Sequence, residues 1–223
     1  MWMVDYGATW IKFHKVETNK SLRFVSPPTP RLFFYLLEKV FASEGVKKNE
    51  PLILGFPGVV KNGKICSAPN LDQTAWKNVN LLQRLEKRKL NAHVINDTDL
   101  HGHLLIKGRG TELVIALGTG FGSSLYTDGL LLPNTEVGLH PLLKGKTYEE
   151  LLSYKAFLRS GKQNWIKHLK LAIQQLTLTF NPDRIYLTGT MSMHLQRQRL
   201  PKIIKVVDYA KPSKKILKGL RLS

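Results

Sequence analysis

Two glycine-rich segments of the chain have the composition of phosphate-binding turns. Residues 5–9 (Asp-Tyr-Gly-Ala-Thr) combine a glycine, which lets the backbone approach an anion closely, with a threonine hydroxyl. Residues 118–122 (Gly-Thr-Gly-Phe-Gly) follow an apolar run, and their bare N–H groups are suited to phosphate oxygens. The carboxylate of Asp5 can hold Mg²⁺, directly or through water. An ordinary hairpin turn and a sheet bulge are the respective alternatives.

Two further polar segments carry side chains suited to proton transfer or to sugar binding. Asn96 and Asp97 follow a short apolar run, and a carboxylate that accepts the proton of an attacking hydroxyl is a standard part of phosphoryl transfer. Glu136 and His140 lie in a turn-like segment, from which they can form directed hydrogen bonds to the hydroxyls of a polyol. A helix cap and a surface loop are the alternatives for these two segments.

These segments lie at the ends of predicted strands. Residues 1–13 are predicted to form a hairpin, and further strands are predicted at 52–54, 93–95, 113–117, 123–126 and 184–187. Helical spacing of apolar residues predicts helices at 31–41, 78–90, 148–158 and 164–180. Hairpins followed by strands that alternate with helices indicate an α/β fold, in which ligands bind where strands end.

Composition and charge limit the class of protein further. The chain has 223 residues, 43% of them hydrophobic, which is enough for a substantial core and excludes wholesale disorder. Its only cysteine, Cys66, excludes an internal disulfide, and we expect an intracellular location. Residues 141–223 contain 17 Lys or Arg against 4 Asp or Glu, a net charge of +13. Such a field attracts polyanions, although a solvated basic surface is the alternative.

Six ordered motifs give the chain a resemblance to a known family. The motifs are Asp5-x-Gly7-x-Thr9-x-x-Lys12, Gly55-Phe56-Pro57-Gly58-Val59-Val60, Asn70 with Trp76, Asn96-Asp97-x-Asp99, Leu117-Gly118-Thr119-Gly120-x-Gly122-Ser123 and Pro133-Asn134-Thr135-Glu136. In this order they resemble the ROK-type sugar kinases, most of all the polyphosphate glucokinase branch. The resemblance runs from about residue 1 to residue 190.

The resemblance implies an α/β fold of two actin-like (ribonuclease-H-like) lobes, with the active site in the cleft between them. We expect lobes at 1–100 and 101–223, the second with a basic tail. Asp97 then matches the general base that takes the proton of the sugar 6-hydroxyl. The resemblance implies two phosphate loops, the first with Asp5, Gly7, Thr9 and Lys12 and the second with Gly118, Thr119, Gly120 and Gly122. It further implies a set of sugar ligands: Asn70, Asn96, Asp97, Glu136, His140 and Glu150.

Two departures from the family pattern bear on these expectations. Ala8 stands where the family usually has a second glycine, and its methyl group restricts φ. The family's sugar-binding histidine falls at the position of Leu139, and His140 comes one residue later. If His140 replaces that histidine, the loop after Glu136 must carry one extra residue as a bulge.

The implied activity is transfer of a phosphoryl group from polyphosphate or ATP to the 6-hydroxyl of glucose or a related hexose. Mg²⁺ is the implied cofactor, and we expect a cytoplasmic homodimer that binds no membrane. The alternative is a non-catalytic ROK-fold protein that binds a sugar or a polyanion. Nucleic-acid binding ranks last, because the chain contains no known binding motif for it.

Overall fold

A computed structural model of the chain describes residues 1–195 and 200–207. The described residues divide into two units, the first Met1–Leu100 and the second beginning at His101. Most of the basic tail predicted for the second lobe lies outside the described residues.

The first unit is built on a five-stranded sheet. Its elements are β1 (Trp2–Tyr6), β2 (Trp10–Lys15), β3 (Lys20–Val25), α1 (Pro30–Ser43), β4 (Pro51–Phe56), β5 (Val60–Lys61), β6 (Lys64–Ile65), α2 (Gln73–Trp76), α3 (Leu81–Glu86), β7 (Asn91–Asn96) and α4 (Asp97–Leu105), which ends in the second unit. The strand order is β3-β2-β1-β4-β7. The strands β1, β2 and β3 pair antiparallel, whereas β1, β4 and β7 pair parallel.

Local sequence signals explain where the elements of the first unit begin. Thr29 caps α1 by accepting the N–H of Leu32, and Pro30 occupies the first helical position, where its missing N–H costs nothing. The predicted helix over 78–90 is wrong in extent, because Asn80 caps a helix of only six residues, α3. Residues 78–80 instead bond to β6 and residues 87–90 form a turn.

A cluster of aromatic rings forms the core beneath the first part of the sheet. The ring of Tyr6 stacks on Phe33 with centroids 5.1 Å apart and meets Phe56 and Trp76 edge-on. All four side chains are fully buried. The indole Nε1 of Trp76 donates to the carbonyl of Pro28 at 2.9 Å. Trp76, a motif residue, therefore has a packing role.

The second unit is built on another five-stranded sheet. Its elements are β8 (Thr111–Leu117), β9 (Phe121–Thr127), β10 (Leu130–Leu132), β11 (Pro141–Leu143), β12 (Lys146–Thr147), α5 (Tyr148–Leu152), α6 (Tyr154–Phe180), β13 (Arg184–Thr188) and β14 (Ile204–Val206). Two 3₁₀ helices span Val137–Leu139 and Thr190–Leu195. The strand order is β10-β9-β8-β13-β14, with β8, β9 and β10 antiparallel and β8, β13 and β14 parallel.

The helix predicted over 148–158 is interrupted. Ser153 has an extended backbone, ends α5, and caps α6 by accepting the N–H of Ala156. α6 continues through the predicted gap at 159–163 with a kink at Gly161, whose φ is 75°. Its apolar face packs Trp165, Leu169 and Leu176 into the core of the second unit.

The two units share one topology. In each, the first three strands pair antiparallel in chain order. The first of them also pairs with a parallel strand, and that strand pairs with a second parallel strand. β8 thus corresponds to β1, β9 to β2, and β13 to β4. The two glycine-rich segments therefore occupy corresponding positions, each in the turn between the first two strands. Among the described helices, none has the length and hydropathy that crossing a bilayer requires.

Candidate active site

The first glycine-rich turn joins β1 to β2 and is fixed by backbone and side-chain bonds. The N–H of Gly7 donates to the carbonyl of Trp10 at 3.1 Å. Ser26, beyond the end of β3, donates its N–H to Thr9 O at 3.0 Å and its hydroxyl to Gly7 O at 2.5 Å. Ala8 does not have a positive φ, so its methyl group causes no backbone strain at this turn.

The segment that follows Ser26 is itself anchored to the core. The hydroxyl of Tyr6 donates to Pro27 O, and the carbonyl of Pro28 accepts from Trp76 Nε1 and from the N–H of Asp72. Ser26 is buried. The turn at 7–9 thus rests against a rigid segment, which suits a site that must hold a phosphate in place.

Asp5 and Lys12 face each other at the base of the same turn. They are register partners on β1 and β2, and Lys12 Nζ lies 3.2 Å from Asp5 Oδ2. Asp5 is only 4% exposed. No group of three or more acidic, His or Cys side chains among the described residues forms a metal cage. One buried carboxylate still fits Mg²⁺, because this ion keeps several waters and takes its other ligands from substrate phosphates.

Asn96 and Asp97 lie at the point where β7 ends and α4 begins. The side-chain oxygen of Asn96 accepts the N–H groups of Thr98 at 2.7 Å and Asp99 at 3.1 Å. Its amide nitrogen donates to Gly58 O at 3.1 Å, which ties the 56–58 turn to the start of α4. Asn96 is therefore a helix cap, and its buried side chain is already engaged on both sides.

Asp97 is the first residue of α4 and is partly exposed. Its Oδ1 accepts the N–H of Thr98 at 2.8 Å, and the first turn of a helix is where a negative charge is favoured. Gly55 on β4 permits this placement, because a Cβ there would lie 3.0 Å from the Cα of Asp97 and closer still to Leu100. Asn70, in contrast, lies on an exposed turn after Ala68.

The second glycine-rich turn joins β8 to β9 and is also held from outside. Gly118 donates its N–H to Gly120 O at 3.1 Å and accepts the N–H of Tyr154 at 2.8 Å. Gly189, at the end of β13, has a φ of 88°, and a Cβ there would lie 2.3 Å from Leu117 O. Only glycine fits at this position, so the turn 188–190 packs directly against the last residue of β8.

The loop that carries Glu136 is fastened to β9. Thr135 donates its hydroxyl to Ser123 O at 2.9 Å, and the Ser123 hydroxyl donates to Thr135 O. Burial, and then the charge of Glu149, raises the pKa of the Glu136 carboxyl. Glu149 Oε2 in turn accepts the N–H of Phe121 at 3.2 Å. Two carboxylates thus meet beside the second glycine-rich turn.

The sequence pointed to Glu150, but the structure gives that residue a different contact. Glu150 accepts the N–H of Thr147 at 2.8 Å while the Thr147 hydroxyl accepts the N–H of Glu150, a complete capping box at the start of α5. Glu149, one position earlier, is the residue near Glu136. The Thr-x-x-Glu spacing from 147 to 150 was the signal for the cap.

The loop after Glu136 was expected to bulge if His140 replaces the family histidine. The structure instead has a single 3₁₀ turn there, Val137–Leu139, and His140 follows it. Its N–H donates to Val137 O and its carbonyl accepts the N–H of Tyr148. Leu139 is 55% exposed, and His140 is exposed as well. A register shift occurs a little later, between Pro141 and Leu143.

No protein-family profile matches the chain, but individual proteins do. A polyphosphate glucokinase of Mycobacterium tuberculosis (strain ATCC 25177 / H37Ra) is 34% identical over an alignment of 165 residues, and the match covers 66% of this chain and 60% of that protein. A polyphosphate glucokinase of Mycobacterium leprae (strain TN) is 29% identical over an alignment of 160 residues, and the match covers 66% of this chain and 48% of that protein. The matched residues thus span about half to three-fifths of these curated relatives.

Solved structures match over nearly the whole chain. An inorganic polyphosphate/ATP-glucomannokinase from Arthrobacter sp. strain KM has a TM-score of 0.81 at 25% identity, with 98% of this chain and 96% of that chain covered. A ROK family glucokinase from Streptomyces griseus, in complex with glucose and AMPPNP, has a TM-score of 0.72 at 16% identity, with 99% and 97% covered.

The fold and the paired glycine-rich turns define a class: the chain has the actin-like, two-lobe α/β fold of the ROK-type sugar kinases. Within that class its sequence is similar to the polyphosphate glucokinases. The predicted fold class and the predicted resemblance are confirmed.

Proposed function

We propose that the chain is a sugar kinase that transfers a phosphoryl group from polyphosphate or ATP to the 6-hydroxyl of glucose or a related hexose. The observation that carries the proposal is the position of Asp97. It is a partly exposed carboxylate on the first turn of α4, and its neighbour Asn96 is fixed by three hydrogen bonds. The comparisons give no support to a non-catalytic binding protein.

In the proposed reaction, Asp97 accepts the proton of the sugar 6-hydroxyl. The hydroxyl oxygen forms a bond to the terminal phosphorus of the donor, and the bond from that phosphorus to the bridging oxygen breaks. The shortened donor leaves with the electron pair of the broken bond. Because Asp97 sits on a capped helix start, the base is held in place before the substrate arrives, which is how positioning lowers a barrier.

The two glycine-rich turns are the proposed phosphate-binding elements. Gly7, Thr9 and Lys12 serve the first turn, and Gly118, Thr119, Gly120 and Gly122 serve the second. Backbone N–H groups in such turns stabilise developing negative charge without reorganisation. Asp5 is the proposed contact for Mg²⁺, which when bound would neutralise charge on the phosphates during transfer.

The proposed sugar ligands include two carboxylates. Glu136 and Glu149 are the candidates in the second unit, and Glu149 takes the role that the sequence had suggested for Glu150. Asn96 acts mainly by fixing Asp97, since its side chain already caps α4 and binds Gly58 O. Asn70 and His140, which are both exposed, remain proposed sugar ligands.

The remaining expectations also stand as proposals. They are a two-domain organisation at 1–100 and 101–223, a homodimer, a cytoplasmic location and no binding of membranes or nucleic acid. The basic second half of the chain favours polyphosphate as the donor.

The experiment that tests the proposal measures glucose 6-phosphate formation with polyphosphate and with ATP as separate donors. We expect turnover with at least one donor, and more with polyphosphate. Binding of glucose without turnover on either donor would contradict the proposal and favour the non-catalytic alternative.

A further inference from the structure

The long helix α6 carries an unusual concentration of positive charge. Its 27 residues include five Lys or Arg and no Asp or Glu. The five are all exposed: Lys155, Arg159, Lys162, Lys167 and Lys170. Solvent-facing helices usually mix charges of both signs, because like charges one turn apart repel each other.

Three of these lysines lie on one exposed strip after the kink at Gly161. At roughly 100° per residue, Lys162, Lys167 and Lys170 fall within an arc of about 140°. Trp165, Leu169 and Leu176 of the same helix pack into the core, and they centre about 110° around the helix from the middle of this arc. Gln163 and Gln174, both exposed, lie on the same side as the lysines. We call this surface, from Lys162 to Gln174, the basic strip.

The charge of the basic strip is not compensated by neighbouring carboxylates. Within residues 1–195 and 200–207, none of the three lysines forms an ion pair. Lysine and arginine elsewhere do form pairs, for example Lys20 with Glu44 at 2.6 Å and Arg88 with Glu38 at 2.8 Å. An uncompensated row of cations repels itself and attracts an anion that runs along it.

We infer that the basic strip binds the chain of a linear polyphosphate, away from the phosphates that react. This inference rests on the proposed function, in which polyphosphate is a donor. From Lys162 to Lys170 the helix rises about 12 Å, a length that a single phosphate group does not span. Lysines bind phosphates as point charges on flexible stems, so they suit a repeating anion without fixed geometry.

The composition of the strip distinguishes polyphosphate from nucleic acid. Proteins that hold single-stranded nucleic acid combine cations with exposed aromatic rings on which bases stack. The strip offers Lys and Gln side chains, whereas Trp165, on the same stretch of helix, is fully buried and offers no ring to a base. A polyanion without bases is therefore the partner that fits.

The test is direct binding of long-chain polyphosphate and of tripolyphosphate to a triple variant, Lys162→Gln/Lys167→Gln/Lys170→Gln. The matched control removes the same charge from exposed lysines of the first unit, as Lys39→Gln/Lys47→Gln/Lys87→Gln. We expect the strip variant to bind long-chain polyphosphate about tenfold more weakly. The slope of the logarithm of its binding constant against the logarithm of the salt concentration should be smaller in magnitude by roughly 2. Tripolyphosphate binding and ATP-dependent turnover should stay unchanged.

Equal losses in the strip variant and the control would overturn the inference, because the effect would then be one of net charge. A strip variant that loses RNA binding while polyphosphate fails to compete with RNA would also overturn it. The binding assay needs no turnover, so it stays separate from the proposed function. A chain without kinase activity can still bind polyphosphate through the strip, and an active kinase can lack this surface.

Discussion

At the scale of single residues, Glu136 and Glu150 are carboxylates in opposite environments. Burial, and then the charge of Glu149, raises the pKa of Glu136. Its ionised form is therefore disfavoured in the folded chain, and stability is lost as pH rises through the carboxyl range above ~4.3. We expect Glu136→Gln to raise the Tm by a few degrees at neutral pH. The gain should vanish in acid, where Glu136 is protonated in the folded and in the unfolded chain, and calorimetry at several pH values measures it.

Glu150 provides the matched control, because its charge stabilises the folded chain, whereas the charge of Glu136 destabilises it. Hydrogen bonds from the Thr147 backbone and side chain lower the pKa of Glu150. Its charge therefore contributes stability above ~4.3 that is lost as pH falls through the lowered pKa. Glu150→Gln should lower the Tm slightly at neutral pH. If both variants shift the Tm in the same direction, the assigned environments are wrong.

The sequence singled out candidate side chains at the ends of strands but not the partners that the structure gives them. Asp97 and Asn96 stood out because a polar pair follows an apolar strand. The Thr-x-x-Glu spacing from 147 to 150 signalled the capping box of Glu150, whereas the proximity of Glu149 to Glu136 depends on tertiary packing and had no local signal. The hydrogen bond that the Asn96 amide donates likewise had no local signal, because its acceptor, Gly58 O, lies 38 residues earlier in the chain.

At the scale of elements, the turn at 7–9 depends on Ser26. We expect Ser26→Ala to remove the hydroxyl bond to Gly7 O, at a cost of about 1 kcal/mol in stability. The loosened turn should raise the KM for the phosphoryl donor about three- to tenfold while the KM for the sugar stays unchanged. Steady-state kinetics with each substrate varied in turn measures this split.

The control for that prediction is Ser43→Ala. The Ser43 hydroxyl also donates to a backbone carbonyl, Val40 O, at the end of α1. Because Ser43 is exposed on a helix, its replacement by alanine should change neither KM. A donor KM that rises equally in both variants would mean that general destabilisation, and not the turn, is responsible.

Most elements were predictable from local signals, and the failures have local causes too. The hairpin 1–13, the capped helix at 31–41 and the strands that end at 56, 96 and 117 follow apolar alternation and turn residues. The helix over 78–90 was overextended because Asn78 and Val79 pair with Ile65 of β6. Such pairing joins segments far apart in sequence, which periodicity does not register.

At the scale of the whole molecule, the internal repeat of topology was invisible in the sequence. Both units have the order of a three-stranded antiparallel hairpin followed by two parallel strands, yet the sequence showed no repeat. Strand order depends on pairing and not on residue identity, so two sequences can diverge completely and keep it. What survives in both is the glycine-rich turn between the first two strands.

Positive charge is distributed unevenly along the chain, and the structure places part of it on one helix, α6. Of the 17 Lys or Arg in residues 141–223, five lie on α6, where no acidic residue balances them. The sequence predicted attraction of a polyanion but not its location. The structure shows that all five are exposed and that three of them, after the kink at Gly161, fall within an arc of about 140°.

The central claim is that Asp97 is the general base of a sugar kinase, and the turnover of Asp97→Asn tests it most directly. The amide keeps the size of the side chain but cannot accept the proton. We expect glucose 6-phosphate formation to fall by about 10²–10⁴-fold, with sugar affinity within about twofold of the wild type. Glu86→Gln, which removes an exposed carboxylate from α3, should leave turnover unchanged. If Asp97→Asn keeps more than about a tenth of wild-type turnover, Asp97 is not the base.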